Sequence, residues 1–145
     1  MIDDPVSVYC QRMHPNAHYP TKSHVGDAGW DLYTSESMMI EPGQNANIST
    51  HIAVALPVTH FGHLLPRSST LPIHGLVVTP AVIDSGYRGE LFIQVTNNRK
   101  EQVFINMGTR IAQLIILPVP NIKWVGVDDL PHSARGLHGF GSTGR

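Results

Sequence analysis

Apolar residues in this chain fall in short runs punctuated by Gly, Pro, Asn and Ser, a pattern that predicts many short β-strands and little helix. Strands are expected over residues 6–12, 30–33, 38–40, 44–49, 51–56, 62–66, 76–78, 91–96, 102–105, 110–117 and 122–125. Glu41-Pro42-Gly43 reads as a turn, because Pro fixes φ and Gly tolerates positive φ. Gln94-Val95-Thr96, then Asn97-Asn98-Arg99-Lys100, then Val103-Phe104-Ile105 predict a hairpin. A second hairpin is predicted where the β-formers Val82-Ile83 enter an Asp84-Ser85-Gly86 turn and the chain resumes as a strand with Tyr87. A bend of that kind sets a carboxylate beside an aromatic ring, able to fix a small planar ligand and a water. After Ser69 the pattern admits a helix of one or two turns, limited by Pro72. So many short strands at close spacing place the chain in the all-β class, as a sandwich or barrel.

Composition narrows this further. A chain of 145 residues fits one domain with an adequate core, and its 13 glycines and 11 prolines disfavour long helices. With a net charge of −1 the molecule as a whole cannot steer a polyanion, so a phosphate site must come from local arginines and backbone N–H groups. The single Cys10 excludes an internal disulfide and a zinc finger, and fits a reducing compartment. The acidic start, Met1-Ile2-Asp3-Asp4-Pro5, has no apolar signal core, and the longest apolar run, residues 114–119, is too short to span a bilayer. The expectation is a soluble, intracellular protein with no membrane contact and no stable nucleic-acid binding.

The nine histidines do not form a metal motif in sequence. His14 and His18 are four apart, but Pro15 and Pro20 deny them a common helix face, and His60 and His63 bracket Phe61-Gly62, which reads as a turn. After residue 127 the pattern changes: Asp128-Asp129-Leu130-Pro131 ends the folded body, giving a body of residues 1–131 and a tail of residues 132–145. Gly136, Gly139, Gly141 and Gly144 make that tail flexible and open its backbone N–H groups to phosphate.

Five strings then combine: Ala28-Gly29-Trp30-Asp31-Leu32, Pro66-Arg67-Ser68-Ser69, Val82 to Glu90, Gly108 to Ile115, and Arg135 to Gly144. In kind and order they resemble the five motifs of the homotrimeric dUTP diphosphatase (dUTPase) family, over a span from about Asp27 to the last residue. The resemblance implies a jelly roll with a glycine-rich tail that closes over the active site, and a homotrimer whose active sites are shared between chains. It implies hydrolysis of dUTP to dUMP and pyrophosphate by attack of water on the α-phosphorus, with Mg2+ arriving on the triphosphate. That reaction keeps uracil out of DNA and supplies dUMP.

On the same basis Asp84 is the expected water activator, and Arg67, Ser68, Ser69, Gln113 and Arg135 the expected phosphate contacts, with backbone N–H groups at Gly141 and Ser142. The backbone from Val82 and Ile83 to Tyr87 would read the edge of uracil, Tyr87 would exclude a 2′-hydroxyl, and Phe140 would stack on the base. Asp31 would reach Mg2+ through water, while Arg110 suits a bracing ion pair as well as a substrate contact. The chain departs from the family pattern at Trp30, usually Tyr or Phe, at Ala81, commonly Gly, and at Val78, Asn in some members. It departs again at Gly86, often a second Asp, and at His138, a Gly in the tail. A dCTP deaminase, or bifunctional deaminase, of the same fold and a regulatory dUTPase-like binding module are the competing readings.

Overall fold

Alternation along each strand decides which face is buried. In β8 (Glu90–Asn97), Leu91, Ile93 and Val95 point inward while Phe92 and Gln94 face solvent. The same rule buries Ile48, Ile52 and Val54 of β4 (Asn45–Ala55) and Leu64 of β5 (His60–Pro66). In the computed structural model, which describes residues 4–141, these strands belong to two four-stranded antiparallel sheets. One runs β1 (Tyr9–Arg12), β4, β8, β6 (Leu76–Val78), and the other β2 (Trp30–Tyr33), β10 (Arg110–Pro118), β5, β7 (Ala81–Ile83). A two-stranded ribbon joins β3 (Met38–Ile40) to β9 (Val103–Ile105). Both large sheets feed one core that includes Leu32, Ile48, Leu64, Leu91, Ile93 and Ile111. Each such Leu or Ile contributes about 1.5–3 kcal/mol by leaving water. The result is the jelly roll expected from the sequence, and no helix among the described residues is long and apolar enough to cross a membrane.

Several expected elements differ in the structure. Neither predicted hairpin forms. β7 pairs with β5 and β8 pairs with β4 and β6, so residues 84–89 cross from one sheet to the other. The reason is that Ile83 and Leu91 both face the core, from opposite sheets that lie about 10 Å apart. Likewise β9 leaves β8 and pairs with β3, because the buried Asn97 side chain donates to Ile40 O (3.0 Å) and Glu101 O (2.9 Å) and turns the chain outward. The two strands expected at 44–49 and 51–56 are one strand with a bulge, where the register shifts between Ser49 and Ala53. Phe61-Gly62 lies inside β5 rather than in a turn; the turn comes earlier, where His60 N–H reaches Pro57 O at 2.9 Å. No strand forms at residues 122–125, and β1 begins at Tyr9 rather than Val6. The turn at Glu41-Pro42-Gly43 is present, with Gly43 at φ 72°, and a five-residue π turn, Thr70–His74, follows Ser69.

Candidate functional site

Three neighbouring strands of the second sheet gather the first group of side chains. Register sets Gln113 of β10 opposite Asp31 of β2 and Leu65 of β5. Asp31 is buried, and its Oδ1 lies 2.9 Å from Arg67 Nε while Oδ2 lies 3.5 Å from Arg110 Nη1. Arg67 Nη1 also donates to Arg110 O (3.1 Å), so both guanidiniums are fixed around one carboxylate. Gln113 Nε2 donates to Pro66 O (3.0 Å), and its side chain occupies the space a Cβ would need at Gly29, within 2.8 Å of Gln113 Cδ. A side chain at Gly29 would therefore push the Gln113 amide out of this position.

Past Pro66 the chain presents Ser68, exposed, and Ser69, half-buried, before the turn of Thr70–His74. Buried Thr70 anchors that turn by donating to Ile111 O (2.8 Å). Two arginines against one aspartate leave an excess of positive charge beside an accessible loop, and guanidinium geometry suits phosphate oxygens. The same field acts on His74: burial, with the Arg99 and Arg67 guanidiniums, holds its imidazole below the ordinary range.

The second group lies elsewhere. Val82, Ile83, Asp84, Tyr87, Glu90, Leu91 and Phe92 line a cleft of about 240 Å³ where the chain crosses between sheets. Asp84 is exposed at its mouth, and its carbonyl accepts Tyr87 N–H at 3.1 Å. The Tyr87 hydroxyl donates to Glu90 O (2.7 Å), and its ring lies over Gly89, where a Cβ would come within 2.6 Å of Tyr87 Cζ. Arg88 braces the turn by donating to Ser85 O at 2.6 Å. Carboxylate and ring are thus held at one bend, although the bend is a crossing and not a hairpin.

One chain does not bring the two groups together. β7 pairs with β5 so that Ile83 is opposite Gly62 and Ala81 opposite Leu64. Asp84 therefore falls beside Phe61 at the start of β5, whereas Arg67 and Ser68 follow its end at Pro66. Five strand steps, about 17 Å at 3.4 Å per residue, separate those ends. The tail stands apart from both. Arg135 Nε donates to His138 O (2.6 Å) within its own local turn, and Phe140 is fully exposed at φ 48°, beside an exposed Gly141 at φ 86°. Ser142 lies outside the described residues.

Some functional relations were not readable from the sequence. Glu90 as the anchor of Tyr87, Gly89 as its platform and Thr70 as the brace of the turn depend on contacts that spacing does not reveal. Arg110, left open between two roles, sits in an ion pair with Asp31. Trp30 is two-fifths exposed beneath Lys22, whose Nζ is 4.8 Å from the ring centroid, and Val78 is buried in the core. Among the described residues no three His, Cys, Asp or Glu side chains cluster as a metal site.

Comparison with known proteins follows the same lines. The family model described as dUTPase matches residues 15–144, starting earlier than the sequence motifs do. The deoxyuridine 5′-triphosphate nucleotidohydrolase of Thermobifida fusca is 43% identical over 142 residues, covering 96% of this chain and 79% of that protein. The Gloeobacter violaceus protein of the same name is 41% identical over 145 residues, covering 97% and 99%. Among solved structures, a mutant dUTPase of Staphylococcus bacteriophage 80alpha with dUpNHpp superposes with a TM-score of 0.89 at 29% identity, covering 96% of this chain and 99% of that one. A mutant dUTPase of phage phi11 of S. aureus, whose structure details the coordination of a structural Mg(II) ion, gives a TM-score of 0.79 at 28% identity, covering 85% and 97%.

Proposed function

This chain belongs to the dUTPase family and hydrolyses dUTP to dUMP and pyrophosphate; from that premise we propose that Asp84 activates the attacking water. The observation that carries this reading is the cleft itself, where the exposed Asp84 carboxylate and the pinned Tyr87 ring share one bend. A carboxylate at the cleft mouth accepts a hydrogen bond from water, orients it toward the α-phosphorus and takes its proton as the P–O bond forms. General-base help of this kind contributes about 10²–10⁴ in rate.

The remaining roles follow from reach and charge. Tyr87 lies against the deoxyribose and leaves no room for a 2′-hydroxyl, since its hydroxyl is already committed to Glu90 O. Backbone groups from Val82 and Ile83 to Tyr87 read the uracil edge, and cytosine would leave one donor or acceptor there unpaired. Arg67, Ser68, Ser69 and Gln113 take the phosphates, joined by Arg135 and the backbone at Gly141 and Ser142. Phe140, exposed on the tail, stacks on the base once the tail closes.

Mg2+ fits as a companion of the triphosphate. Both Asp31 oxygens are engaged by arginines, which leaves lone pairs for a water and no open edge for direct ligation. Asp31 is read as reaching the ion through that water, and the ion when bound neutralises phosphate charge. The distance between the Asp84 cleft and the Arg67 loop supports a site completed by a second chain, in keeping with the homotrimer, body 1–131 and closing tail 132–145 that the family resemblance implies. The partner is then the free nucleotide rather than a nucleic acid, in a soluble intracellular setting.

The test is Asp84→Asn, which preserves shape and most hydrogen bonding. Turnover of dUTP, followed by pyrophosphate release, should fall by about 10²–10⁴, a barrier increase of about 3–5 kcal/mol, while nucleotide binding persists. Near-normal turnover would remove Asp84 from the mechanism.

A further inference from the structure

The five-residue turn that follows Ser69 is pinned at both ends. At its start, buried Thr70 donates to Ile111 O. At its end the chain enters the left-handed region at Gly75 (φ 68°), whose N–H closes on Leu71 O at 2.8 Å. The last carbonyls of so short a turn lack partners within it and need donors from elsewhere. The loop after β8 supplies them. Asn98 N–H donates to Gly75 O (2.8 Å), and Arg99 Nη2 donates to Ile73 O (2.7 Å). The Arg99 stem lies across Gly75, where a Cβ would come within 2.6 Å of Arg99 Cδ.

Arg99 is held from its own side as well. Its backbone N–H donates to Asn97 Oδ1 (2.8 Å), and the Asn97 amide donates to Ile40 O and Glu101 O. A strut therefore runs from β3 through Asn97 and Arg99 to the end of the turn. Within the turn, Ile73 N–H donates to Ser69 O (3.0 Å) and Thr70 N–H to Arg67 O (3.1 Å), so a shift at Ile73 is passed back to Ser69 and Arg67. The charge of Arg99 is also felt there: burial first, then the Arg99 and Arg67 guanidiniums, hold the His74 imidazole below its ordinary range. Yet Arg99 lies outside all five motif strings.

We infer that Arg99 is a positioning residue for triphosphate binding: by bracing the end of the Thr70–His74 turn, it sets the Ser68–Ser69 loop at its start. The inference rests on the assignment of that loop to the phosphates of dUTP.

The experiment compares the full-length enzyme with Arg99→Met, Arg99→Lys, Lys100→Met and Ser68→Ala, all at saturating Mg2+. Met keeps a stem over Gly75 and removes the donors and the charge, while Lys keeps the charge and a donor for Ile73 O. Lys100 is exposed and next in sequence, so Lys100→Met removes an equal charge and leaves the brace whole. Steady-state constants for dUTP, dissociation constants for dUpNHpp and dUMP, and the melting temperature are measured for each. Arg99→Met should raise KM for dUTP and weaken dUpNHpp by about threefold to tenfold, with kcat changed by less than about twofold. Binding of dUMP, which keeps the base, the sugar and only one phosphate, should change by less than about twofold. Arg99→Lys should recover most of the loss, and Lys100→Met should match the unmodified enzyme. A merely structural Arg99 would lower the melting temperature and leave the ratio of dUpNHpp to dUMP affinity unmoved, which would overturn the inference. Equal weakening in Lys100→Met would overturn it too, since the effect would then be one of charge at a distance. If Ser68→Ala lowers that ratio and Arg99→Met does not, the inference alone fails. If neither variant alters it, the phosphate assignment of the loop falls and the inference falls with it.

Discussion

Tyr87 can lie flat beside Asp84 because the residue two positions on has no side chain. A methyl at Gly89 would press into the Tyr87 ring and hydroxyl, so Gly89→Ala should push the ring out of its hydrogen bond with Glu90 while leaving the strands intact. The expected outcome is a several-fold rise in UTP hydrolysis relative to dUTP, in the same direction as Tyr87→Ala, with the melting temperature lowered by only a few degrees. A steady-state comparison of the two nucleotides checks it, and unchanged discrimination in both variants would mean that the sugar is gated elsewhere. Asp84 and Tyr87 were legible as a pair because they are three residues apart and bend residues are distinctive. Gly89 and Glu90 were not, because one acts by absence of a side chain and the other through its carbonyl. Asp31 was legible as polar and placed, but its two arginine partners, one just past the end of β5 and one opening β10, lie far along the chain.

At the scale of elements, periodicity located nearly every strand and misjudged how they connect. Alternation is a property of one strand against a core, whereas pairing depends on which sheet the next strand joins. Asn97 shows the difference. Read locally, Asn-Asn-Arg-Lys between two β runs is a hairpin turn; in the fold its fully buried amide donates to Ile40 O and Glu101 O and accepts Arg99 N–H at 2.8 Å. Those three bonds release β9 from β8 and deliver it to β3. Asn97→Ala would leave the buried Ile40 carbonyl without this donor, at a cost of about 1–3 kcal/mol. Denaturant unfolding at fixed protein concentration should show this loss. Asn97→Asp should be at least as damaging, because a carboxylate cannot donate to the two carbonyls; an unaffected midpoint for both variants would show that the ribbon is held by other contacts. The single strand that replaces residues 44–49 and 51–56 has a similar cause: the gap left at Thr50 falls in a bulge that takes two residues out of register, not at a strand end.

The whole molecule raises a question that one chain does not answer. Beyond β10, residues 119–138 are exposed throughout, among them Trp124 at 92% and Leu130 at 85%, and a run of apolar side chains in water is what an arm awaiting a neighbour presents. Together with the roughly 17 Å along β5 between the Asp84 cleft and the arginine loop, this supports sites assembled from different chains. Consider refolding an equal mixture of Asp84→Asn and a variant truncated before Arg135. On the proposed trimer, each pure assembly would lack one part of every site and should turn over dUTP poorly. In a cyclic trimer any mixed assembly contains one junction at which an intact Asp84 meets an intact tail from its neighbour. Random assembly makes about three-quarters of trimers mixed, each with one good site in three, so about a quarter of normal activity should return. If Asp84 and the tail of the same chain formed the site, mixing would restore nothing. Pyrophosphate release from trimers whose mixed composition is verified by native mass spectrometry decides between them, and absence of recovery there would refute the shared site.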